Sequence, residues 1–156
     1  MKKYILSFLV ATLLMSGSVF ADGYIATYSM KVSNPQAFAK EMDNLMASDW
    51  GKTFPADMSF VHYAFNGYDD ATHGVIVNYA NEEDMANGTS LFYQPAFGEF
   101  LGKTAAYTEN VEQSLHAKIL TGGNPAPEMN NVYTIYRMKV KNPKAYAKAY
   151  SAVAKA

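Results

Sequence analysis

Residues Tyr28 to Lys40 read YSMKVSNPQAFAK, and 108 positions later Tyr136 to Lys148 read YRMKVKNPKAYAK, identical at nine of thirteen positions without a gap. A repeat of this length implies two copies of one structural unit. The unit is then about 108 residues long, yet only 25 residues run from Val132 to Ala156. The second copy is expected to be the first strand and helix of a truncated unit. The competing explanation is a genuine short C-terminal strand and helix that completes one sheet edge. Against it, Ser151 to Ala156 has no glycine cap, proline or polar tail of the kind that usually stops a helix.

Working outward from the repeat, Tyr24, Ala26, Tyr28, Met30 and Val32 alternate with mostly polar neighbours, the pattern of a half-buried strand. It ends at Asn34-Pro35. Asparagine can cap the free amides of a helix, and proline at the first helical position loses no hydrogen bond. Phe38, Met42, Leu45 and Met46 then form one apolar stripe. Tyr146, Tyr150, Val153 and Ala154 repeat those spacings, so the helical pattern outlasts the sequence identity.

Beyond Trp50-Gly51, Phe54-Pro55 interrupts, and Ser59 to Phe65 reads as a second strand with Phe60, Tyr63 and Phe65. Asn66 to Thr72 is a turn by composition, and His73 to Tyr79 is a third strand carrying Val75, Ile76 and Val77. These two strands should form a hairpin. Asn81 followed by Glu82, Glu83 and Asp84 reads as a helix cap with an acidic first turn, and the helix runs to about Tyr93. Pro95 restarts it as a short apolar turn or helix with Phe97, Phe100 and Leu101. Val111 to Leu120 gives a fourth strand, and the glycines and prolines of Thr121 to Pro127 mark a linker.

The order predicts an α+β fold: a ferredoxin-like βαββαβ unit, with a four-stranded antiparallel sheet and both helices on one face, then an extra strand and helix starting a second unit. The expected boundaries are a signal peptide over 1–21, a complete unit over 22–122, a linker over 123–131 and the partial unit over 132–156. If the open sheet face is apolar it needs a partner sheet, from a homodimer or from intrachain pairing of units.

The first residues set the compartment. Lys2-Lys3, the apolar run Tyr4 to Met15, and Ser16 to Ala21 have the three parts of a Gram-negative-type secretory signal peptide cleaved after Ala21. The apolar run is short for a membrane span. The mature chain would be exported, periplasmic or secreted, with 11 basic against 14 acidic side chains. That balance attracts neither nucleic acid nor anionic lipid, and no membrane partner is expected after cleavage. There is no cysteine, so stability rests on packing and association rather than disulfides.

Three stretches carry a resemblance. The strand Tyr24–Val32 with Asn34-Pro35 and Ala37 to Lys40, the strand Thr72 to Tyr79, and Gln94 to Leu101 together resemble the dimeric α/β-barrel superfamily. That superfamily includes antibiotic-biosynthesis-type monooxygenases and many exported proteins. The resemblance covers about Tyr24 to Leu120 once, then Val132 to Ala156. It implies a cavity between the sheet and the helices, or between two facing sheets, that takes small and often aromatic molecules. Activity does not follow from it, because fold does not give function.

The candidate chemistry is sparse. His73, beside Thr72 and the turn, is the first choice for a general base or a contact to substrate oxygen, and His62 is the second. Trp50, Phe54, Phe60, Tyr63, Phe65 and Tyr79 could wall a ligand cavity, with Tyr63, Phe65, Tyr79 and Trp50 taken as the ligand-binding candidates, although at least half of the six are better explained as plain core. As a metal site the three histidines fail by spacing, and Glu82 to Asp84 is better explained as helix-start chemistry. No P-loop, dinucleotide or serine-nucleophile motif is present, so no cofactor is expected. Two readings stand: an exported binding protein for a small apolar or aromatic compound, or a cofactor-independent monooxygenase-like enzyme using a pocket histidine as base.

Overall fold

A computed structural model describes residues 23–120, 132 and 134–154. The expected signal peptide and linker lie outside the described residues. The chain divides into two compact units, 1–119 and 120–156.

In the first unit, β1 (Tyr24–Val32) leads into α1 (Pro35–Ala47) and a short α2 (Asp49–Thr53). Then follow β2 (Ala56–His62), β3 (His73–Tyr79), α3 (Glu82–Leu91), α4 (Pro95–Thr104) and β4 (Thr108–Ala117). The sheet order is β2-β3-β1-β4, and every pairing is antiparallel. With this order of elements, that is the ferredoxin-like arrangement.

Local chemistry sets the helix starts. Asn34 Oδ1 accepts the Ala37 amide at 3.1 Å, with Pro35 at the first helical position. Asn81 Oδ1 accepts the Asp84 amide at 2.8 Å ahead of three acidic residues. The apolar stripe of α1 buries Phe38, Met42 and Leu45 against the sheet. Strand residues of one parity meet it: Ala26 and Met30 on β1, Val75, Val77 and Tyr79 on β3. Strand side chains alternate between faces, so Ile25, Thr27, Ser29 and Lys31 lie on the other face.

Two strands are displaced from the sequence expectation. β2 runs Ala56–His62 rather than Ser59 to Phe65. It starts directly after Pro55 and is held by the pairs Ala56↔Tyr79 through His62↔His73, which place Met58 and Phe60 on the core side. β4 runs Thr108–Ala117 rather than Val111 to Leu120. Its entry is pinned by the Ser33 amide donating to the Tyr107 carbonyl at 3.0 Å, and a bulge between Ser29 and Met30 adjusts the register.

In the second unit the repeat is visible in its cap. Asn142 Oδ1 accepts the Ala145 amide at 3.1 Å, the same bond that Asn34 makes, and α5 follows over Pro143–Ala154. The extra strand expected from Val132 is not formed over residues 134–140. A strand exists only by pairing, and among the described residues that unit holds no second strand to pair with.

Candidate functional site

β2 and β3 bring the two first-choice histidines together. His62 and His73 are direct cross-strand partners. The Tyr63 amide donates to the Thr72 carbonyl at 2.9 Å, so the next pair along, His62/His73, is the non-hydrogen-bonded kind whose side chains approach most closely. Their ring centres lie 5.0 Å apart with planes at 63°. Both belong to the helix-covered face, since His73 shares the parity of Val75, Val77 and Tyr79. Eleven positions separate them in sequence, and the loop 63–72 closes that gap.

His73 is buried at 8 % exposure, whereas His62 on the edge strand is exposed. Phe60 lies against His73 with ring centres 5.1 Å apart and planes within 13°, and Phe38 backs Phe60 at 4.6 Å. Thr72 Oγ1 sits 2.9 Å from His73 Nδ1 and accepts the Val32 amide at 2.9 Å. A hydroxyl oxygen has two lone pairs. When Nδ1–H donates to the second one, Nε2 is left unprotonated as acceptor or base; in the reverse tautomer Nε2–H is a donor. Burial, then the neighbouring His62, holds His73 below the ordinary histidine value. The ring is therefore neutral at physiological pH.

The other expected residues are not gathered here. Tyr63, one position past His62, points to the opposite face, where its hydroxyl meets Ser29 Oγ at 3.0 Å. Its ring crosses Gly74, where a Cβ would overlap the phenol oxygen. Phe65 is in the loop and 87 % exposed, because β2 ended three residues earlier. Trp50 is core: it stacks on Phe54 at 4.7 Å and Phe97 at 5.6 Å, and its Nε1–H donates to the Leu91 carbonyl at 2.8 Å.

Tyr79 lies on the histidine face but six residues along β3, about 20 Å from His73 at strand rise. It is 1 % exposed, and its hydroxyl lacks a hydrogen-bond partner of good geometry. Burial, with a smaller push from Tyr28, raises its phenol to about 12. Thr89 lies near enough to offset this slightly, while its own hydroxyl donates to the Met85 carbonyl at 2.7 Å. Histidine pair and tyrosine thus belong to different ends of one wall.

The sequence set Thr72 beside His73 and offered Phe60 as a wall residue, but gave neither a role against the histidine ring. Thr72 is the orienting group and Phe60 the stacking one; the signal was a β-branched hydroxyl residue directly before a strand histidine. His116 lies on the opposite face, its Nε2 3.0 Å from Ser114 Oγ, which in turn is 2.7 Å from Thr27 Oγ1. A groove of about 110 Å³ runs between α1 and α4, with Glu41 and Lys103 paired across it at 3.6 Å. None of the expected residues lines it, and it is far below the usual several hundred Å³ of a ligand pocket. Among the described residues no three histidine, cysteine or carboxylate groups stand together for a metal, and no helix is long and apolar enough to cross a membrane.

No protein-family model matches the chain, and no curated protein does. Solved structures give distant likenesses over about two thirds of the chain. SnoaB, a cofactor-independent oxygenase from Streptomyces nogalater, is 15% identical over 69% of this chain and 100% of its own, with a TM-score of 0.46. HapK from Hahella chejuensis is 9% identical over 66% and 98%, with a TM-score of 0.47. A conserved protein of unknown function from Bacteroides thetaiotaomicron, named a possible oxidoreductase, is 12% identical over 62% and 99%, at 0.44.

Proposed function

We propose that this chain is an exported small-molecule-binding protein of the dimeric α/β-barrel type. It holds a small apolar or aromatic compound at the corner made by Phe60, His62 and His73. The observation that carries the reading is the cross-strand histidine pair, one ring fixed against Phe60 and Thr72 and the other exposed at the sheet edge. An aromatic ligand finds ring surface there, and its oxygen finds an imidazole nitrogen. The open sheet face is assigned to a second copy of the chain.

His116 supplies an internal control, since it is on the other face. Histidine ¹H–¹⁵N spectra of the chelator-treated protein, titrated with phenols and quinones, should show His62 and His73 shifting together while His116 stays still. A panel that moves His116 alone, or moves nothing at millimolar concentration, sinks the reading.

A second reading has its own support. A neutral, Thr72-oriented His73 is what a general base near pH 7 requires, so the same corner could take the proton of a phenolic substrate. Oxygen uptake with the compounds that bind, present in the parent and abolished in His73→Gln, separates the enzyme from the carrier.

A further inference from the structure

The same histidine pair sets two imidazole donors side by side, and this leads beyond the organic ligand proposed above. Imidazole binds copper, zinc and nickel through an unprotonated nitrogen, and its affinity rises when a second donor is already at the right distance. Metal–nitrogen bonds of about 2.0–2.1 Å place an ion roughly 3.2 Å from each ring centre, so two rings 5.0 Å apart are close enough to share one ion once His62 turns a nitrogen toward it.

The two donors are held in complementary ways. A metal-bound histidine ordinarily donates its other ring N–H to an oxygen that fixes its orientation. Thr72 Oγ1, 2.9 Å from His73 Nδ1, is such an oxygen, and it leaves Nε2 as the ligand atom. Thr72 is itself anchored where β1 meets β3: its hydroxyl oxygen accepts the Val32 amide at 2.9 Å and its own amide donates to the Met30 carbonyl at 3.0 Å. Phe60 stops the His73 ring from turning. His62, exposed on the edge strand, is free to swing onto the ion. Two protein donors leave coordination positions for water, which makes an open, exchangeable site rather than a structural one.

We propose that His62 and His73 form a two-imidazole site for a late first-row divalent cation, filled best by copper(II). His73 is the fixed ligand, Thr72 its positioning residue and His62 the mobile ligand. Copper(II) is preferred because it stands at the top of the stability order for nitrogen donors.

The test uses the full chain, stripped with chelator, and copper(II) sulfate added stepwise. Paramagnetic loss of the His62 and His73 signals together, below one equivalent and with His116 intact, supports the site. By calorimetry, His62→Ala should weaken copper(II) binding at least tenfold and His116→Ala less than twofold. Thr72→Val should weaken it about tenfold, the usual loss for an orienting group. Loss of the His116 or amino-terminal signals first, or His62→Ala binding copper(II) like the parent, overturns the proposal. His62 is exposed, so its alanine variant tests binding rather than folding, and circular dichroism verifies this. The aromatic panel is run with chelator present, so failure of either site leaves the other result standing.

Discussion

His73 pays two electrostatic penalties for a proton in the folded state, its burial and the charge of His62. With the folded value depressed below the ordinary 6.5, the unfolded chain binds the proton more readily. The sign follows: stability is whole above about pH 6.5, falls as pH drops from there toward the folded value, and the loss is complete below it. Urea midpoints at pH 7.5 and 5.5 should show this drop in the parent and a smaller one in His73→Gln. At Gly74 the determinant is steric. Gly74→Ala sets a methyl where the Tyr63 hydroxyl now lies, and should cost about 1–3 kcal/mol. Combining it with Tyr63→Ala should cost less than the two single costs added, because both act on one contact. Chemical denaturation of the three variants measures the coupling.

Among the elements, β2 shows how pairing overrules composition. Aromatic content placed the strand over Phe60, Tyr63 and Phe65, but the ladder with β3 begins at Ala56, directly after Pro55, and ends at His62. The shift of three residues moved Phe65 into solvent, while strand alternation in either placement puts Tyr63 and His62 on opposite faces. Helix starts were legible by comparison, since a cap is a contact between residues three apart. Asn34→Ala removes the acceptor of the Ala37 amide and should cost about 1 kcal/mol, read as a lower urea midpoint with unchanged slope. The register of β4 was not legible for the opposite reason: its Tyr107 carbonyl bonds to Ser33, 74 positions away.

For the molecule as a whole, the boundary between units at Ile119 and Leu120 predicts that residues 22–119 unfold cooperatively alone. A thermal transition of the fragment as sharp as that of the full chain, with calorimetric and van't Hoff enthalpies equal, is the expected outcome. The export proposed above predicts that the exported protein begins at Asp22, which amino-terminal sequencing reads directly.

The order of the four strands of the first unit, the ferredoxin-like class, the caps at Asn34 and Asn81 and the helical half of the repeat were legible in the chain itself, whereas the short helix Asp49–Thr53 was not. They rest on side-chain period and on contacts between near neighbours, which a linear text contains. Which candidates share a site was settled only by the tertiary structure. The meeting of His62 with His73 and the placing of Thr72 behind one of them depend on strand register. Register is set by bonds between distant residues, and a slip of one residue turns every side chain over.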